Sequence, residues 1–185
     1  MTDTRRRVLD ASILMVAEGG VRAVSFREVA RRAGVSHQAP YHHFPNHEAI
    51  LHEIAREGFA ALADAMEQAG GEATDPVDAL VGAGRAYLDF AVEHVGHYRV
   101  MFQRPVSEGD QPLAEAEHTL EVLGSLAAAV TAAGAGGGLS PEVLARLCWS
   151  TAHGVASLVT EGALGEPDVS RGIDVVAALG DLIRA

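Results

Sequence analysis

The stretch "SFREVARRAGVSHQAPYHHFPNHEAIL", residues 25–51, decides the fold. Its first four residues form a capping box. The Ser25 hydroxyl can accept from the Glu28 amide while the Glu28 carboxylate returns to the Ser25 amide, so a helix starts there. That helix ends at Gly34, and "GVS" is a three-residue turn into a second, short helix with Ser36 as its N-cap. A glycine that relieves the sharp turn and a valine that fills the wedge between the helices are what a helix-turn-helix requires. Pro40 disturbs the pattern, because proline has no amide hydrogen and crowds the carbonyl four residues back. With Ser36 as N-cap, Pro40 forfeits one bond; if the helix effectively begins at His37, it forfeits none. The expectation is a loosened first turn, not a broken helix. At about 100° per residue, His37, Gln38, Tyr41 and His42 share an arc of roughly 140°, with Pro40 on the opposite side toward the first two helices.

Working outward, the chain is all-helical. Val8, Leu9, Ile13, Val16 and Ala17 recur at helical spacing over residues 4–18, before the stop at Gly19-Gly20. A long helix opens near Asn46 or His47 and runs to about Gln68. "DP" at 75–76 caps a helix to about His94, "GHYRVMFQ" is a short helix, and a loop is expected around 105–112. "PLAEAEHTLEVLGSLAAAVTAAG" is the next helix, with "GAGGG" at 134–138 as its flexible exit. "SPE" at 140–142 caps a helix expected through Leu164, "GEPDVS" breaks it, and a last helix covers about 170–183. About nine helices result. They divide into an N-terminal three-helix domain that carries the helix-turn-helix, residues 1–50, and a helical remainder, residues 51–185.

The net charge of -11 argues at first against a nucleic-acid partner. Its distribution does not. Residues 1–58 hold eight arginines against seven acidic residues, and the remainder holds six against eighteen. Phosphate would therefore meet the first third. Cys148 is the single cysteine, so no internal disulfide or multi-cysteine zinc site is possible. No apolar run approaches about 18 residues and no signal peptide is readable, so a soluble cytoplasmic protein with no membrane partner is expected.

Residues 25–51 resemble the TetR family of transcriptional regulators, and "WSTAHG", residues 149–154, resembles the Trp-x-x-x-His-Gly signature of one of its C-terminal domain classes. The resemblance implies a homodimer that binds a palindromic operator in double-stranded DNA and releases it when a small molecule enters the C-terminal domain. It implies backbone or thymine-methyl contact for Tyr41 and phosphate contact for His43. Gln38 suits adenine, and His37 or His42 a guanine acceptor. Arg27 and the Ser36 hydroxyl would hold phosphates, and Arg5 to Arg7 would add charge toward the backbone or minor groove. His47 stands where the family generally has Lys, so phosphate attraction there is weaker and pH-dependent.

Other constellations carry less. His42, His43, His47 and His52 invite a metal reading, but His47 and His52 are five apart and diverge around a helix, and Pro45 separates His43 from His47. No metal and no cofactor is expected. Trp149 and His153 share a helical face and read either as core or as a pocket wall with a polar handle. Tyr87, Phe90, Tyr98, Met101 and Phe102 carry the same two readings. As a pocket, these seven offer no Arg or Lys, so the expected effector is mostly apolar and neutral or cationic. Cys148 reads as a small core residue. No Ser-His-Asp set, phosphate-cradling loop or paired carboxylate site is readable, which disfavours an enzyme. The rival to a regulator is a helical interaction module without sequence-specific DNA binding.

Overall fold

The computed structural model describes residues 2–103, 113–163 and 169–184. Among them are nine α-helices, one 3-10 turn and no strand. In chain order the helices are α1 (Thr2–Gly19), α2 (Phe26–Ala33), α3 (Ala39–His43), α4 (His47–Gly71), α5 (Pro76–Glu93), α6 (Val95–Met101), α7 (Ala114–Ala132), α8 (Pro141–Thr160) and α9 (Val169–Arg184), with the 3-10 turn at Val21–Ala23. The expected loop around 105–112 and most of the "GEPDVS" break lie outside the described residues. Contacts divide the chain into two compact units, Met1–Phe59 with His94–Leu113, and Ala60–Glu93 with Ala114–Ala185.

In the first unit α1 is the central post, packed by α2, α3 and α6. Its apolar face is closed, with Val8, Leu9 and Val16 fully buried. Ser12, buried beside them, returns its hydroxyl to the Val8 carbonyl at 2.8 Å, which removes the penalty of a polar group in the core. α6 lies against α1 at Gly96, and Arg99 donates to the Ala17 carbonyl at 2.6 Å, satisfying an acceptor that the end of α1 leaves open.

The helix-turn-helix forms with two corrections. The Ser25 hydroxyl does accept from the Glu28 amide, at 3.3 Å. The Glu28 carboxylate, however, turns to Arg31 and Arg32 at 2.5–3.0 Å, because two guanidinium groups one turn ahead are stronger partners than one neutral amide. Those arginines hold Glu28 at about pKa 2. Gly34 takes the left-handed conformation, φ 62°, and the Val35 amide reaches back to the Ala30 carbonyl at 3.1 Å, closing α2. The second correction concerns Ser36, which is not the N-cap of α3. Gln38 is, and Pro40 is the second residue of the helix, where an amide has no intrahelical partner in any case. The Ser36 carbonyl accepts instead from the Ala39 amide at 2.9 Å. The missing amide of Pro40 thus shortens the helix and leaves His37 and Gln38 in a tight turn ahead of it.

In the second unit α5 is the hub, packed by α7, α8 and α9, and α8 also packs α7 and α9. Asp75 caps α5, its carboxylate accepting from the Val77 and Asp78 amides at 2.9 and 3.0 Å, while Arg184 at the end of α9 reaches the Asp75 and Asp78 carboxylates. Ser140 caps α8. α8 stops at Thr160, four residues before the expected end. Gly162 is left-handed, φ 72°, and the Ala163 amide folds back onto the Leu158 carbonyl at 2.9 Å.

Candidate nucleic-acid interface and ligand-binding residues

α3 is held from behind and open in front. Ala39 and Pro40 are buried, Pro40 completely, as the reading of its orientation anticipates. His37, Gln38, Tyr41 and His42 are all exposed, Tyr41 by 54%. Tyr41 is nonetheless positioned. Its ring packs edge-on against buried Phe26 of α2 at 4.6 Å, and the His37 ring lies 6.1 Å from it. An aromatic that is anchored at one edge and wet at the other is suited to present a hydroxyl and a face to a ligand at little entropic cost. Ser36 and Arg27 are exposed; His43 and His47 are half-buried.

Arg5, Arg6 and Arg7 are internal ties. Arg5 pairs with Glu53 at 2.8 Å and lies over the Phe44 ring. Arg6 bridges Asp10 and Glu57, and its pKa is raised, first by the hydrogen bond to Asp10. Arg7 donates to the Ala33 and Gly34 carbonyls, completing the end of α2. Arg5 and Arg56 together hold Glu53 at about pKa 2, with Arg56 the stronger influence. The sequence shows the arginines but not their distant partners, Glu53 and Glu57 on α4, the Phe44 ring, and the carbonyls that end α2.

The seven candidate ligand residues fall into two groups. In the second unit the Tyr87 hydroxyl and His153 Nδ1 are hydrogen-bonded at 2.9 Å, and the Trp149 ring centroid is 6.0 Å from that of His153. Tyr87 and Phe90 are buried on α5; Trp149 and His153 are half-buried on α8. Burial pushes the His153 pKa down, so its imidazole is neutral at neutral pH. In the first unit Phe102 packs edge-on against Phe59 at 5.5 Å and Tyr98 at 5.4 Å, and Met101 fills the space over Gly58. Cys148, half-buried, has its thiol pushed up to about 11 by desolvation, which leaves it protonated and inert at neutral pH. Among the described residues no three His, Cys, Asp or Glu side chains gather as a metal site, and no helix is long and apolar enough to cross a membrane.

Comparison with known proteins decides the family. A model of bacterial regulatory proteins of the tetR family matches residues 8–54, and a model of the tetracyclin repressor-like C-terminal domain matches residues 80–179, more than half of the chain. The chain belongs to the TetR family. The HTH-type transcriptional repressor KstR2 of Mycolicibacterium smegmatis is 30% identical over 99 residues, 54% of this chain and 48% of that protein. The chain therefore spans about half the length of this curated relative. Among solved structures, a Rhodococcus protein of unknown function superposes with a TM-score of 0.80 at 28% identity, covering 97% of this chain and 93% of its own. The TetR family transcriptional regulator PfmR of Thermus thermophilus does so with 0.77 at 26% identity, covering 96% and 97%. Within this TetR-family chain, sequence inspection missed Phe26 as the support of Tyr41. Its signal was present: an aromatic directly after the Ser25 cap.

Proposed function

We propose that this TetR-family chain is a ligand-responsive, DNA-binding transcriptional repressor and not an enzyme, with residues 1–50 reading a palindromic operator and residues 51–185 binding the effector and dimerising. The observation that carries the proposal is the two-sided α3 segment: Ala39 and Pro40 buried, His37, Gln38, Tyr41 and His42 exposed, with Tyr41 braced on Phe26. Gln38 would read adenine, and His37 or His42 guanine, in the major groove. Tyr41 would contact the backbone or a thymine methyl. Arg27, Ser36, His43 and His47 would meet phosphates, fixing register without reading sequence. KstR2 is itself named a transcriptional repressor.

Two observations support the dimer. Val143, Leu147 and Leu158 are exposed on α8, and Val175 and Leu182 on α9. Each set lies within an arc of about 60° on its helix at 100° per residue, a stripe suited to isologous packing. For the effector, Tyr87, Phe90, Trp149 and His153 on α5 and α8 of the second unit supply apolar walls and a neutral imidazole. They favour a mostly apolar, neutral or cationic small molecule. Its binding would shift the population of dimers away from those whose reading helices stand about 34–36 Å apart, the spacing of successive major grooves.

The test is a gel shift of the full chain against DNA flanking its own gene, with candidate effectors titrated while Trp149 fluorescence is followed. Release of DNA and the fluorescence change should share a midpoint, because coupling between two sites is reciprocal. A chain that binds flanking DNA no better than random duplex would be an interaction module instead.

A further inference from the structure

The first unit engages nearly all of its guanidinium groups internally. Arg5, Arg6, Arg31, Arg32 and Arg56 pair with carboxylates, and Arg7 and Arg99 donate to backbone carbonyls. Among the described residues of that unit, only Arg22 and Arg27 have no such partner. Arg27 belongs to the DNA contacts already proposed; Arg22 has no assigned role. It is exposed on the 3-10 turn and lines an open cleft of about 440 Å³. Ser25, Phe26, Tyr41, Asn46 and His47 line the same cleft, and among the described residues no carboxylate does.

We infer that Arg22 closes this cleft around a phosphate-type oxyanion, forming a grip beside the base-reading side chains of α3 and sharing Tyr41 with that face. The donors converge. Arg22 offers a forked guanidinium, the Ser25 hydroxyl retains its hydrogen while its oxygen accepts from Glu28, and the Tyr41 hydroxyl stands on the same wall. Asn46 and His47 place the start of the 25-residue α4 at the cleft, and a helix start favours negative charge. A second, independent observation is His47 Nε2. It is shut away from solvent and has no hydrogen-bond partner among the described residues. A buried nitrogen in that state is uphill, and turning the ring into the adjoining cleft toward an oxyanion would satisfy it. His47 thereby takes a different part from the Lys that the family generally carries at this position: it holds an unmet bond that an occupant can complete.

The chemistry is that of a phosphate oxygen, supplied either by the DNA backbone or by free inorganic phosphate. The first source rests on the DNA-binding proposal above; the second does not. Two measurements on the full chain separate them. In the first, the salt dependence of affinity is compared for operator-flanking and random duplexes with wild type, Arg22→Gln and, as a control, Arg85→Gln on α5. If the backbone supplies the phosphate, Arg22→Gln lowers the log–log salt slope by about 0.9 per bound protomer, about 1.8 for the dimer, on both duplexes, and Arg85→Gln leaves it unchanged. In the second, inorganic phosphate is titrated while the His47 ring resonances, assigned by their loss in His47→Gln, are followed by NMR. If the site takes free phosphate, they shift saturably in wild type and stay still in Arg22→Gln. A lowered slope without a phosphate shift assigns the site to DNA; an Arg22-dependent shift without a slope change assigns it to free phosphate. An unchanged slope together with no Arg22-dependent shift overturns the inference. A wild-type chain that binds no duplex at all sinks the regulator proposal, and the phosphate titration then decides the cleft by itself.

Discussion

Replacing Gly96 by alanine should separate two helices that the structure holds in contact. Gly96 is buried on α6, and a Cβ built there would lie 2.5 Å from the Ile13 carbonyl oxygen and 2.9 Å from the Ile13 Cγ2. That oxygen sits in the middle of α1, where it cannot retreat without loosening the helix's own hydrogen bond. Reaching the 3.4 Å of ordinary contact from 2.5 Å would require α6 to lift by 0.9 Å at this point. The bond from Arg99 to the Ala17 carbonyl, 2.6 Å long and one turn further on, would be stretched as well. Overpacking of this kind costs roughly 1–3 kcal/mol. Alanine recovers up to about 1 kcal/mol through its better helix propensity. A net loss of about 1–2 kcal/mol would lower the melting temperature by roughly 2–8 °C for a chain of this size. Gly124 on α7 is the matched control, because a Cβ there meets nothing within 4 Å. Gly124→Ala should therefore raise stability by about 0.5–1 kcal/mol. Thermal unfolding followed by circular dichroism reads both variants. A Gly96→Ala chain that melts at or above wild type would refute the contact between α6 and α1 as drawn.

Three further outcomes are expected. Tyr41→Ala should weaken operator binding by about 1–3 kcal/mol while leaving the melting curve nearly unchanged, and a gel shift indistinguishable from wild type would remove Tyr41 from the interface. Leu158→Glu, which places a charge in the exposed stripe of α8, should give a monomer in sedimentation at micromolar concentration; a persistent dimer would locate the partner surface elsewhere. Stability should fall on acidification from pH 7.5 to 5.5. His97, lowered by burial and then by neighbouring His94, and His153, lowered by burial, both resist protonation in the folded chain. The unfolded chain takes up those protons as pH drops through 6.5, so it is favoured from there down to the folded-state values. Glu53, at about 2, stays ionised throughout that window. Urea unfolding that is flat or more favourable to the folded state at pH 5.5 would contradict this.

Much of this architecture is legible because helix ends are written in local chemistry. Ser25, Asn46, Asp75 and Ser140 each announce a helix, and each side chain accepts from the first-turn amides as its type dictates. Where local rules compete, the sequence is ambiguous. Ser36 is as good a cap as Ser25, but the Pro40 ring crowds its carbonyl, and the N-cap of α3 is Gln38. Gly162 was available as a stop for α8 but is one of many glycines, most of which stop nothing. The candidate ligand residues show a deeper limit. Periodicity tells which face of a helix is buried, not against what. Nothing in the order of Tyr87, Phe90, Tyr98, Met101 and Phe102 reveals that the segment from His94 returns to the first unit while Tyr87 and Phe90 stay in the second.

Pro40 has a consequence for how such a reading segment can diverge. Helix ends ordinarily fray and re-zip, so the boundary between turn and helix is a fluctuating quantity. Here a five-membered ring makes it a covalent one. α3 cannot zip back through Ser36, since the amide it would need does not exist. A single Pro40→Ala exchange, on the buried side, would permit two more helical residues and carry His37 and Gln38 onto a helical path. The direction in which the segment presents its exposed side chains could then be changed by a mutation in the core, with every one of those side chains left as it is.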